Sequence, residues 1–189
     1  MPGNAPPVAD EREGLLAYLA QQRYVLRLTA YGLTEEQLRA TPTAGLLSVG
    51  GLIKHVASVE QNWMDIVLQR PGGSAEDYMS DFRMADDETI ADILALSDAA
   101  AARTSEVIAQ IADLGRPVPV PSDVPWFPKD VEAWSVRWVL LHLITETARH
   151  AGHADIVRES VDGATAYPLM AAAEGWPASP WMQPWQPKS

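Results

Sequence analysis

Four stretches of this chain repeat apolar residues at intervals of three and four, and glycine or proline punctuates the chain between them. A helix with one apolar stripe must bury that stripe against another element, so four such stretches predict helices packed around a shared core. The first covers 10–31, where Leu15, Leu16, Leu19, Tyr24, Leu26 and Leu28 set the stripe and Gly32 ends it. Thr34 then caps a short helical turn. The second covers 48–69, with Leu52, Val56, Val59, Trp63, Ile66 and Val67 on one face, and a Pro-Gly-Gly-Ser break at 71–74. The third covers 86–113, with acidic residues in its first turn, where the helix dipole favours them. Its small-residue run at 99–102 permits close packing. The fourth covers 135–161 and is closed by Asp162-Gly163. Between the third and fourth, prolines 117, 119, 121, 125 and 128 exclude a helix. Strand signals are weak throughout, so the fold class is all-α, a four-helix bundle.

The 189 residues fit one domain. Residues 1–9 are polar and Pro-rich and are expected to form a disordered lead-in; 10–165 hold the bundle. The tail at 166–189 carries Trp176, Trp181 and Trp185 among prolines, so it should pack on the bundle or on a partner subunit. A net charge of −11 disfavours nucleic acid and anionic lipid as partners. The chain has no cysteine, which excludes disulfides, thiolate metal ligands and a Cys nucleophile. No signal peptide or membrane-spanning run is read, so a cytoplasmic protein is expected.

The fourth stretch contains Glu146-Thr-Ala-Arg-His150, a carboxylate and an imidazole one helical turn apart. Burying both costs free energy unless a partner satisfies them, and a divalent metal would do so. His55, flanking the stripe of the second stretch, is the natural third ligand. Two imidazoles and one carboxylate suit zinc with an open fourth position, and equally the facial triad of non-haem iron. A structural reading stands beside this one. A lone His on an apolar face is commonly a satisfied core residue, and Glu-x-x-x-His is commonly a surface pair. His142 and His153 read as a surface or second-shell pair, Arg137 and Arg149 as solvated, and the Trp residues as core or interface anchors.

Leu47-Ser-Val-Gly-Gly-Leu-Ile-Lys-His55-Val-Ala-Ser-Val-Glu60 resembles the second-helix motif of the DinB-like superfamily. Arg137-Trp-Val-Leu-Leu-His142-Leu-Ile-Thr-Glu146-Thr-Ala-Arg-His150-Ala-Gly-His153-Ala-Asp155 resembles its fourth-helix motif. The likeness covers roughly 10–165. It is nearest the branch with mycothiol-dependent maleylpyruvate isomerase and mycothiol S-transferases, although the isomerase's extra C-terminal domain has no counterpart here. The resemblance implies an up-down-down-up bundle with a divalent metal held by His55, Glu146 and His150. Zinc leads among the metals, ahead of nickel, iron or manganese. It also implies a low-molecular-weight thiol such as mycothiol as cosubstrate in an S-transferase or isomerase reaction on a small electrophile. Arg149 or Arg83 would hold a substrate carboxylate. The competing readings are a metal-dependent hydrolase using a bound water, and a non-enzymatic stress-related binding protein. A homodimer through the bundle or the Trp-rich tail is a further expectation.

Overall fold

The computed structural model describes residues 3–70, 80–122 and 124–187. Its elements in chain order are α1 (Glu11–Leu28), α2 (Glu35–Arg39), α3 (Val49–Val67), α4 (Ile90–Ala109), β1 (Pro117–Pro119), β2 (Ala133–Ser135), α5 (Val136–Asp162) and α6 (Ala166–Ala173). α1, α3, α4 and α5 are the four long helices, and they form the bundle: α1 packs on α5, α3 on α4, and α3 on α5. The all-α, four-helix-bundle reading therefore holds.

The starts of α1 to α5 are chemically marked. The side chains of Asp10, Thr34, Ser48, Thr89 and Ser135 accept hydrogen bonds from backbone N–H groups in the first turns of their helices, satisfying donors that the helix itself cannot. Thr34 and Thr89 complete capping boxes with Gln37 and Asp92. The third long helix begins at Ile90 and not near 86, because the box at Thr89 sets its first turn while Glu88 is occupied elsewhere. α5 ends at Gly163, whose φ of 79° is the left-handed conformation of a helix stop. The break expected at 71–74 lies outside the described residues.

Two features were not read from the sequence. Pro117–Pro119 pairs antiparallel with Ala133–Ser135, with Val118 opposite Trp134. This two-stranded ribbon tolerates proline because it has no central strand. In the tail, α6 carries Leu169, Met170 and Ala171 as buried residues and packs on α1. Trp176 and Trp185 pack beside it, while Trp181 is 79% exposed.

The core forms two main clusters. One centres on Leu19, Trp63, Met64, Leu140 and Leu143, the other on Leu26, Leu52, Ile53, Ile93, Ala154 and Val157. One buried polar group between the helices is fully paired. Glu60, 2% exposed, takes hydrogen bonds from Arg23 of α1 and Thr104 of α4, as a buried carboxylate requires. No helix among the described residues is long and apolar enough to cross a membrane.

Candidate metal centre

α3 and α5 meet with His55, Glu146 and His150 facing one another between the two core clusters. His55 is fully buried and His150 is 8% exposed. The Nε2 atom of His150 lies 3.1 Å from Glu146 Oε1, and Nε2 of His55 lies 3.9 Å from the same oxygen. One ligand atom from each residue falls within 4.8 Å of the other two. Tetrahedral bonds of 2.0–2.1 Å would place donor atoms about 3.4 Å apart, so a small closure accommodates an ion. The donor set, two imidazoles and one carboxylate, is that of an open three-ligand zinc site.

The electrostatics favour a cation. The hydrogen bond with His150, and next that with His55, hold the Glu146 carboxyl well below the usual carboxylate range against the opposing effect of burial. Glu146 is thus ionised at neutral pH, next to two imidazoles with little access to water. A half-buried anion held between two buried imidazoles calls for a positive partner. The Nδ1 atom of His150 is buried without a hydrogen-bond partner among the described residues. Glu146 is the most open member, its side chain 23% exposed, so the cluster meets solvent on its side.

The helix phase explains how the trio assembles. Glu146 and His150 are one turn apart on α5, flanked in the core by Leu143 and Ala151. His55 sits on α3 between Leu52 and Val56, which are both buried. The three predicted ligands are brought together.

The remaining candidates lie outside the trio. His142 and His153 do not pair with each other. His142 stacks on Trp138 and meets the edge of Trp63, with ring centroids 5.1 and 4.8 Å away. Burial lowers its pKa, outweighing the opposing effect of Glu146. His153 meets the ring of His150 edge-on at 5.4 Å. Arg149 and Arg83 are both exposed, each next in sequence to a residue of the site's wall. Arg137 is paired with Glu11 at the surface.

Sequence reasoning missed Phe82. Its ring stacks on the His55 imidazole at 3.6 Å and 19° and lies 5.9 Å from the ring of His150. The available signal was the pair Gly50-Gly51 inside a helix, a costly composition that marks close backbone approach. A Cβ on Gly51 would meet the Phe82 carbonyl oxygen at 2.0 Å, and one on Gly50 would meet the Met84 sulfur at 2.7 Å. The two glycines let the 82–84 segment lie against α3 and deliver Phe82 to the site.

Comparison with known proteins places this geometry in a family. The solved structure of a conserved protein from Enterococcus faecalis superposes with a TM-score of 0.62 at 15% identity, covering 83% of this chain and all of that one. At that identity the likeness speaks for the fold alone. No curated protein matches the sequence. The family model described as mycothiol-S-transferase matches residues 14–163, which span all four long helices and the three clustered residues. The chain belongs to the mycothiol-S-transferase family of DinB-like proteins.

Proposed function

We propose that the protein is a divalent-metal-dependent S-transferase that joins a low-molecular-weight thiol of the mycothiol type to a small electrophile. The observation that carries this reading is the buried convergence of His55, Glu146 and His150 on one point, inside the region matched by the family. Zinc suits the donor set best. When bound, such an ion supplies Lewis acidity that lowers the pKa of a thiol in its open position.

The chain's own residues do the rest. His55 and His150 present imidazole nitrogens, and Glu146 supplies the charge. Phe82 covers His55 and excludes water from that side. The thiol sulfur forms a bond to the electrophilic carbon as the leaving group departs with its electron pair, and the thiol proton passes to solvent. A chain without cysteine draws its sulfur from outside. Arg83 and Arg149 are candidates for holding a substrate carboxylate near the mouth.

The test is turnover of a bromoalkyl model electrophile by metal-loaded protein, with and without mycothiol. Product should form only with both thiol and metal, and His55→Ala should abolish it. Thiol transfer that survives complete metal removal would overturn the proposal. Hydrolysis without added thiol would favour a metal-bound water as nucleophile.

A further inference from the structure

The structure carries an aromatic column that leads to the metal centre. Trp134, Trp138 and His142 follow one another at intervals of four, as do Glu146 and His150 after them. The planes of Trp134 and Trp138 are 4° apart with centroids at 4.6 Å, and those of Trp138 and His142 are 3° apart at 5.1 Å. Trp63 of α3 backs the column, meeting Trp134 and His142 edge-on and Trp138 at a 58° tilt. The column is not sealed from solvent. Trp138 is 38% exposed, and Trp126, at the edge of the same cluster, is 60% exposed.

Core packing accounts for Trp63, which is 5% exposed. It does not account for an indole left open to water one turn beyond His142 and about 12 Å along the helix from Glu146. The stacking decides what the column can bind. Both faces of Trp138 are occupied, one by Trp134 and the other by His142. Its exposed surface is therefore ring edge. Ring edges carry the positive end of the aromatic quadrupole, so they favour the electron-rich face of another aromatic ring. Sugars and organic cations need an open aromatic face, which Trp138 does not offer.

We propose that the Trp134–Trp138–His142 column is a binding wall for an arene group on the substrate of the adjoining metal centre. The inference rests on the transferase reading for its account of what happens at the metal. The wall itself rests on ring geometry and on continuity with Glu146, the open member of the triad.

The test separates the two. Binding of 2-naphthol and of its saturated counterpart, decahydro-2-naphthol, is measured by titration calorimetry on the metal-loaded full-length protein, with metal content determined in parallel. The arene should bind about tenfold more tightly than the saturated ring, in line with the worth of an edge-to-face pair. Trp138→Leu should abolish that preference while keeping the bound metal. Ring-current shifts of the His142 imidazole protons on adding 2-naphthol to wild-type protein give a second readout that needs no variant. His150→Ala should lose metal and retain the arene preference. Equal affinity for the two ring systems, or an arene preference unchanged in Trp138→Leu with unmoved His142 resonances, would overturn the wall. A chain that shows the arene preference but binds no metal would instead overturn the transferase reading and leave the wall standing.

Discussion

The Phe82 ring lies parallel to the His55 imidazole with 3.6 Å between centroids, and Gly51 is what permits it. The backbone carbonyl of Phe82 occupies the space that a side chain at residue 51 would need. Gly51→Ala should therefore push the 82–84 segment off α3, because a carbonyl cannot swing aside as a flexible side chain does. The expected cost is about 1–3 kcal/mol, the usual range for overpacking. Metal affinity should fall with it, since His55 loses the surface that fixes its ring. Phe82→Leu should lower metal affinity less than Phe82→Ala, because an apolar cover remains. Denaturant melts and metal titrations of the three variants check both effects; a Gly51→Ala protein with unchanged stability would contradict the close approach.

Purified protein should hold one divalent ion per chain by elemental analysis, and His150→Ala should hold none. Chelation should lower the melting temperature, because an ion bound only by the folded state stabilises it by mass action. Glu146→Gln should weaken binding by at least tenfold, since it removes the carboxylate charge that faces both imidazoles. Metal retained at full occupancy in His150→Ala would remove that residue from the centre.

The convergence of His55, Glu146 and His150 was legible because helix phase is legible. Residues 146 and 150 share a face by spacing alone, and the apolar neighbours of His55 show that it points inward. The cap at Thr34 was equally readable, since the chemistry that starts a helix is local. What could not be read was supplied by contacts distant in sequence. Phe82 reaches His55 across 27 positions through a connection with no periodic pattern. The ribbon pairing 117–119 with 133–135 is held by backbone hydrogen bonds that prolines in the sequence argue against. α6 escaped because its run of small and apolar residues, Ala-Tyr-Pro-Leu-Met-Ala-Ala-Ala, carries a proline in its first turn that reads as a break but is tolerated there.

Acid should loosen the segment that carries Phe82. Glu88 takes hydrogen bonds from Lys54 Nζ at 2.9 Å and from the Ala85 backbone N–H at 2.6 Å. Burial raises its pKa, but Lys54 and the Ala85 N–H together outweigh burial and the repulsion of Asp92, so the net shift is downward. A carboxyl whose folded pKa is depressed contributes stability above its unfolded pKa and loses it as pH falls through the folded value. The urea midpoint of wild type should then exceed that of Glu88→Gln near neutrality, and the gap should close as pH falls below the ordinary carboxyl range. A gap that persists at low pH would mean that Glu88 acts through packing and not through its charge.

Arg158 should be the most sensitive charged position outside the metal centre. It is wholly buried, and its guanidinium donates to the carbonyls of Thr29 and Tyr31 at 2.6 and 2.8 Å, where α1 ends, and to both oxygens of Asp162 at 3.0 and 2.8 Å. It also lies 4.9 Å from the ring centre of Trp185, which is itself seated over Gly32, where a Cβ would meet the indole at 2.6 Å. One side chain thus ties α1, α5 and the tail together. Arg158→Ala should cost about 3–5 kcal/mol, because it takes the guanidinium away from a largely buried carboxylate and from the buried carbonyl of Thr29. That corresponds to a drop in melting temperature of roughly 10 °C for a chain of this size. Arg158→Lys should rescue little of it, since a point charge cannot satisfy a planar, four-bonded site. Thermal melts of the two variants, with limited proteolysis of the tail followed in parallel, would show the tail releasing with the loss of stability. A lysine variant as stable as wild type would show that charge alone, and not the fork, holds the three elements.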